Sequence, residues 1–235
     1  MKKNILFTIF IVIGILVNSC SNDEDNPVQN NSNFSETPLA NSQFDSSNFG
    51  IYKGVIAGSS GYVMVNVNND NSISAKLVID GIIYDFTSSQ TIQQNQQTTI
   101  YFVSEGNSFT YRVSATGTNP TVSNIDISGH PNAAIILVKE TSTALVKCYE
   151  GTFSGDDTGI FNALFYGNMI KGQARNVKNE YFILNGTVTN NQISASGSAS
   201  SGATYQGILN GNSFSGNWSN TVFNIQGTFS GNRTF

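Results

Sequence analysis

Charge is what this sequence has least of. Only 11% of its 235 residues are charged, about half the usual share, so its polarity comes mainly from Asn, Ser, Thr and Gly. Lys2 and Lys3 are two of the 11 basic residues, and no basic cluster follows them. Removing these two charges takes the formal net charge from −4 to −6. Because nucleic acids are bound by clustered Lys and Arg, we expect no nucleic-acid partner.

Histidine is nearly absent. The single one, His130, lies in the turn-like context Ser-Gly-His-Pro, and no G-x-S-x-G, H-E-x-x-H or P-loop pattern is present. Asp156 and Asp157 are the only adjacent carboxylates after residue 25. Their context, GDDTG, is typical of a hairpin turn, although a carboxylate pair can also hydrolyse glycosides. We therefore expect no enzyme, no cofactor and no metal site.

Cysteine is also scarce, with Cys20 and Cys148 only. If Cys20 is modified, Cys148 has no partner for an internal disulfide. Cys148 alternates with Val146, so both share one face of a predicted strand. A buried, unreactive thiol is the better interpretation, and a reactive thiol is the alternative.

A targeting segment occupies the N-terminus. Lys2 and Lys3 precede an apolar stretch of 13 residues, Ile5 to Val17, which is too short to span a bilayer but typical of a signal peptide. The stretch ends in VNSC, which resembles a bacterial lipobox. The resemblance implies a signal peptide over 1–19 and a lipid on Cys20, which holds the protein to a membrane. The alternative is an ordinary secretory signal.

An acidic run follows the cysteine. Asp23, Glu24 and Asp25 stand directly after Ser-Asn, and this arrangement is similar to the surface-export signal of Bacteroidota lipoproteins. The resemblance implies an outer-membrane lipoprotein that faces the cell exterior, whereas the alternative is a solvated linker. Residues 20–48 are rich in Asn and Ser and poor in large apolar groups. We therefore expect them to form a disordered, lipid-anchored tether.

From Phe49 onward the sequence alternates with a period of two, and no helical period persists. Such alternation, broken every eight to twelve residues or so by Asn, Gly, Ser and Asp, predicts antiparallel hairpins. The predicted turns contain Asn and Gly, which tolerate positive φ: they are Asn68–Asn71, Glu105–Asn107, Gly167–Asn168, Asn190–Asn191 and Asn210–Asn212. The fold class is therefore all-β, an antiparallel meander.

Glycine recurs on the same strand faces as large apolar residues. In YEGTFSG, Gly151 and Gly155 alternate with Tyr149 and Phe153, and similar patterns begin at residues 52, 205 and 225. Alternating large and absent side chains suit the inner wall of a strongly curved sheet. We therefore predict that these glycines face a barrel-like interior; a glycine contact with a ligand is the alternative.

The glycine patterns suggest a duplication. IYKGVIAG near residue 51 matches CYEGTFSG near residue 148, and GNSFT near 106 matches GNSFS near 211. We predict two tandem, small barrel-like modules, 49–142 and 146–235, of seven to eight strands each. One large sandwich or barrel shared by both halves is the alternative. The Gly-rich meander resembles repeats of bacterial surface lipoproteins and, remotely, avidin-like barrels.

With nucleic-acid binding, catalysis and metal binding not expected, we expect the function to be binding of another ligand or partner. Trp218 shares a strand face with Phe214, and with Tyr205 these are the candidate ligand-binding residues. Trp218 is either a core residue or a platform at a barrel mouth that stacks a flat ligand. We expect a non-enzymatic binding or adhesion module for neutral glycans or another cell-envelope component, such as an outer-membrane protein. The alternative is a carrier of an apolar small molecule inside the barrel, which an internal cavity would favour.

Overall fold

The computed structural model describes residues 34–198 and 201–235. Within these ranges the chain forms sixteen strands, one short 3-10 helix at Ser42–Phe44 and no α-helix. Every pair of hydrogen-bonded strands is antiparallel. The all-β, antiparallel prediction is therefore confirmed. No helix in the described ranges is long and apolar enough to cross a membrane.

The first eight strands form a barrel-like meander that is open at two seams. They are β1 Gly50–Ala57, β2 Gly61–Val67, β3 Ile73–Ile79, β4 Ile82–Thr87, β5 Thr98–Ser104, β6 Asn107–Val113, β7 Thr121–Asp126 and β8 Ala134–Lys139. One sheet has the order β4-β3-β2-β1-β8 and the other β5-β6-β7. Strand β4 lies beside β5, and β7 beside β8, without a ladder of hydrogen bonds.

The last eight strands close completely. They are β9 Val146–Gly155, β10 Gly159–Tyr166, β11 Met169–Asn176, β12 Tyr181–Thr189, β13 Gln192–Ser196, β14 Ala203–Asn210, β15 Ser213–Asn220 and β16 Ile225–Arg233. Each strand pairs with the next, and β16 pairs back onto β9, for example Phe229 with Phe153. Closure pairs the backbone N–H and C=O groups that an open sheet leaves without partners along its edge strands.

Glycines let the barrel strands approach one another where large rings cross the interior. Gly151 lies opposite Gly231 on β9 and β16. A Cβ atom on Gly151 would overlap the carbonyl oxygen of Ser230 and lie 2.8 Å from the Cα atom of Gly231. Tyr149 and Phe153, on the same face, are buried in the barrel core. The structure thus agrees with the prediction that Gly151 belongs to the inner wall, whereas Gly155, at the end of β9, is exposed.

The five predicted turns are present. Positive φ angles occur in each of them, at Asn68, Asn71, Glu105, Gly106, Gly167, Asn190, Asn191 and Gly211. The proposed duplication is only partly reflected in the strand order. Tyr52 and Tyr149 occupy the first strand of each half, but GNSFT opens the sixth strand of the first half and GNSFS the seventh of the second. That pair of motifs therefore marks similar hairpin turns and not equivalent strands.

Three hydrophobic clusters hold the chain together. One fills the first meander, a second fills the closed barrel, and a third lies between the outer faces of the two. The third contains Val55, Val138, Val146, Cys148 and Leu164. Burial raises the pKa of the Cys148 thiol to about 12, which agrees with the expectation of a buried, unreactive thiol.

The tether prediction is wrong for residues 34–48. Glu36 pairs with Lys147 and Arg233 at 2.8 and 2.5 Å, and the Leu39 amide donates to Glu140. Composition suggested disorder because the segment has little apolar surface, but ion pairs and backbone hydrogen bonds hold it instead. The segment begins where β16 ends, with the ring of Phe34 at 4.8 Å from the Arg233 guanidinium.

Candidate ligand-binding site

Four hairpin loops surround one end of the closed barrel. They connect β9 to β10, β11 to β12, β13 to β14 and β15 to β16, so that alternate connections of the meander meet at the same end. We call this end the mouth. The opposite end carries the short turns at Gly167, Asn190 and Gly211, together with the start of β9 and the end of β16.

A cavity of ≈ 750 Å³ opens at the mouth. This volume lies within the range of about 300–1,000 Å³ that is usual for small-molecule sites. Its lining is dominated by aromatic and aliphatic side chains from seven of the eight strands and from the loops, chiefly Phe153, Phe161, Ala174, Phe182, Ala203, Tyr205, Trp218, Phe223, Ile225 and Phe229. Phe223 and Val177, at the edge of the mouth, are 68% and 74% exposed.

The other end of the barrel is filled by its own side chains. The rings of Tyr149 and Phe165 lie 4.7 Å apart, and Phe214 lies 5.8 Å from Tyr149 and 6.0 Å from Phe165. The Tyr149 hydroxyl donates to the carbonyl oxygen of Gly211 at 3.0 Å. Burial raises the pKa of Tyr149 to about 12. The cavity therefore has a packed aromatic floor at the end opposite the mouth.

Asn176 organises one side of the mouth. Its side-chain oxygen accepts from the amides of Lys178 and Glu180, at 3.0 and 2.9 Å. Its amide group donates to the carboxylates of Asp157 and Glu180, at 2.9 and 2.6 Å. These bonds connect the β9–β10 loop to the β11–β12 loop. Asn176 is only 4% exposed, so the connection lies beneath the surface of the mouth.

Asn220 and Trp218 organise the other side. The Asn220 side-chain oxygen accepts from the amides of Val222 and Phe223, which shapes the last loop. The Trp218 indole N–H donates to the carbonyl oxygen of Ser154 at 3.1 Å, and its ring meets Phe153 edge to face at 5.9 Å. The indole is therefore fixed in the wall, with its polar atom already paired.

Two of the three predicted binding residues come together at this cavity. Tyr205 and Trp218 are direct cross-strand partners on β14 and β15, and both line it. Burial raises the pKa of the Tyr205 hydroxyl. Phe214 does not line the cavity: it is 2% exposed and belongs to the packed floor. Cys20, Asp23, Glu24 and Asp25 lie outside the described residues.

Several lining residues were not predicted from sequence. Phe153 and Phe229 face each other across β9 and β16, a pairing between residues far apart in the chain. The alternation of large apolar residues with glycine around each of them indicated their inward orientation, because it placed both on an inner strand face. Nothing in the local sequence marked Asn176 and Asn220, because their role depends on the loops whose amides they accept.

The carboxylates and the histidine considered for catalysis lie in connections between strands. Asp156 and Asp157 form the β9–β10 turn, where they accept the backbone amides of Gln226 and Thr158, at 2.9 and 2.8 Å. His130 lies in the β7–β8 connection, 3.7 Å from Asp80. No group of three or more His, Cys, Asp or Glu residues able to hold a metal ion occurs within residues 34–198 and 201–235.

Comparison with known proteins gives distant matches only. No family model and no curated protein matches the chain. A crystal structure described as a surface lipoprotein shares 12% identity, with 78% of this chain and 98% of that chain covered and a TM-score of 0.28. A mutant of the vaccine antigen transferrin binding protein B from Actinobacillus pleuropneumoniae has the same identity and TM-score, with 78% and 99% covered. A TM-score this low supports no conclusion about function.

Proposed function

We propose that the protein is a non-enzymatic, lipid-anchored binding protein of the outer cell surface, and that its C-terminal barrel takes up an apolar small molecule through the mouth. The location rests on the sequence, on the lipobox at Cys20 and the acidic run after it. The ligand class rests on one observation, the ≈ 750 Å³ cavity and its aromatic lining.

The chemistry of the lining favours an apolar ligand over a neutral glycan. A sugar needs many hydrogen-bonding partners, whereas the cavity wall presents mostly rings and aliphatic groups, and the Trp218 N–H is already bonded to Ser154. Burying apolar surface yields about 25 cal/mol per Å², so a wall of this kind binds molecules that water solvates poorly.

Trp218 provides a direct test, because it is the only tryptophan in the chain. Residues 21–235 retain all of the compact unit Phe34–Phe235 and can be prepared without lipid. We expect the uncharged dye N-phenylnaphthylamine to bind and to accept energy from Trp218. Absence of saturable energy transfer would contradict uptake of apolar molecules by the barrel.

A matched pair of variants locates the bound dye. Ala203 lines the cavity, whereas Thr204, the next residue, is exposed on the outer face. Ala203→Phe fills part of the mouth and should weaken dye binding at least about tenfold, a loss of about 1.4 kcal/mol. Thr204→Phe adds a similar ring outside and should leave affinity unchanged. Equal affinities in both variants would place the dye elsewhere.

A further inference from the structure

Several polar groups at the mouth are already bonded within the protein. Trp218 donates to Ser154, and the Asn220 oxygen accepts two loop amides. Asp156 accepts the Gln226 amide, and Asp157 is bonded through both of its oxygens. In the described structure the side chains of Thr158 and Lys178 make no hydrogen bond, but both are exposed in the loops.

Two inward-facing groups make no hydrogen bond within the described part of the chain. They are the hydroxyl of Tyr205 and the amide nitrogen of Asn220. Both line the cavity, and Asn220 is only 7% exposed. Tyr205 and Asn220 are diagonal neighbours on the adjacent strands β14 and β15, because Asn220 lies two residues after Trp218, the direct partner of Tyr205. Donors left unpaired in a partly buried wall are costly unless a ligand or water satisfies them.

The charge at the mouth restricts what those donors can bind. Three carboxylates, Asp156, Asp157 and Glu180, line the opening with one ammonium, Lys178. An anionic ligand would be repelled by the excess negative charge. The same charge would attract a protonated amine, but an ammonium group has no lone pair with which to accept a hydrogen bond from the two donors. An uncharged acceptor satisfies the two donors without either cost.

We infer that the ligand, if the proposed function holds, is an apolar molecule that carries one uncharged oxygen acceptor, such as a ketone, ester or ether oxygen. The oxygen lies against β14 and β15, where the Tyr205 hydroxyl and the Asn220 amide donate to it. The carbon skeleton fills the aromatic part of the cavity. Tyr205 and Asn220 thereby select among apolar molecules that would otherwise bind alike.

Four compounds with one carbon skeleton test this selection by displacement of N-phenylnaphthylamine from residues 21–235. They are fluorene, fluorenone, fluorenecarboxylate and fluorenylmethylamine. We expect fluorenone to bind about 3- to 10-fold more tightly than fluorene, the usual effect of one uncharged hydrogen bond. Fluorenecarboxylate and the protonated amine should bind more weakly than fluorenone. Tighter binding of either charged compound would overturn the inference.

Two conservative variants identify the donors. Tyr205→Phe removes the hydroxyl and keeps the ring, and Asn220→Asp keeps the oxygen that caps the last loop while removing the amide donor. Each should reduce the preference for fluorenone over fluorene. A preference that survives in both variants refutes the assignment.

Binding of fluorene without any preference for fluorenone refutes this inference alone. Failure of all four compounds to bind refutes the proposed function and this inference with it.

Discussion

The ammonium of Lys53 lies 2.6 Å from the Glu140 carboxylate, and the two side chains are only 3% and 0% exposed. Glu140 also accepts the amides of Leu39 and Val146. One carboxylate therefore joins the N-terminal segment, the first meander and the first strand of the closed barrel. A buried pair of this kind is sensitive to the loss of one partner, because the other charge stays buried and unpaired.

Glu140→Ala should accordingly lower the free energy of unfolding by about 3–5 kcal/mol. The double variant Lys53→Met/Glu140→Leu removes both charges and should recover a large part of that loss. Lys76→Ala is the control, because the Lys76–Asp85 pair is exposed and 3.9 Å apart, and it should change stability by less than about 1 kcal/mol. Urea melts measure all three. Equal effects of Glu140→Ala and Lys76→Ala would show that the buried pair has no special role.

Gly151→Val tests the inner wall of the barrel. A Cβ atom there would overlap the carbonyl oxygen of Ser230 on the adjacent strand, so we expect a loss of about 1–3 kcal/mol or more. β-propensity alone would favour valine by up to about 1 kcal/mol. The sign of the change in unfolding free energy therefore decides between packing and propensity. Thr152→Val, on the exposed face, should be nearly neutral. A Gly151→Val protein that melts at or above wild type would refute the packing argument.

Alkaline pH should weaken the barrel through Tyr149. Its pKa is raised from 10.0 to about 12 by burial, so the folded protein keeps the phenol neutral at pH values where the unfolded chain ionises it. The stabilisation from this residue is complete below pH 10 and is lost as the pH rises towards about 12. Tyr149→Phe should cost about 1 kcal/mol at neutral pH through the lost bond to Gly211. In urea melts, stability should also fall less steeply above pH 10 in the variant than in the wild type. An unchanged slope of stability against pH would show that ionisation of Tyr149 is not a cause of the alkaline loss.

The membrane anchor is tested at Cys20. Cys20→Ser should release the protein from membranes or leave the precursor unprocessed, which fractionation and gel mobility measure. A normally processed Cys20→Ser protein that stays membrane-bound would exclude the lipid at this position. Alanine at Asp23, Glu24 and Asp25 should keep the lipid but reduce surface exposure. Unchanged protease accessibility on whole cells would remove the export signal from consideration.

The second module should fold when residues 144–235 are expressed alone. The barrel closes on itself and has its own hydrophobic cluster, so the fragment leaves no unpaired strand edge. It does expose Val146, Cys148 and Leu164, which the first meander covers in the full chain. We expect a soluble fragment that melts cooperatively with a stability of a few kcal/mol, as is typical of about 90 residues. A fragment recovered only in aggregates would favour one folding unit.

Alternation in the sequence predicted strands, turns and inner faces, because those depend on neighbours along the chain. It did not predict depth along the barrel axis. Phe214 and Trp218 share a face, but four residues of strand separate them by about 13 Å, so one belongs to the floor and the other to the cavity. The pairing of Phe153 with Phe229 and the two seams of the first meander depend on contacts between distant segments, which local pattern does not encode.

The two ends of the described chain differ in what can be attached to them. Phe34 lies against Arg233, at the end of the barrel remote from the mouth, so an affinity tag or an immobilising linker placed before it leaves the opening accessible. Phe235 is stacked on Tyr62, with centroids 4.1 Å apart and rings inclined by 3°, and its backbone pairs with Cys148. A C-terminal fusion would extend the chain directly from this stacked and hydrogen-bonded residue, so sensors and display formats are better built from the N-terminal side.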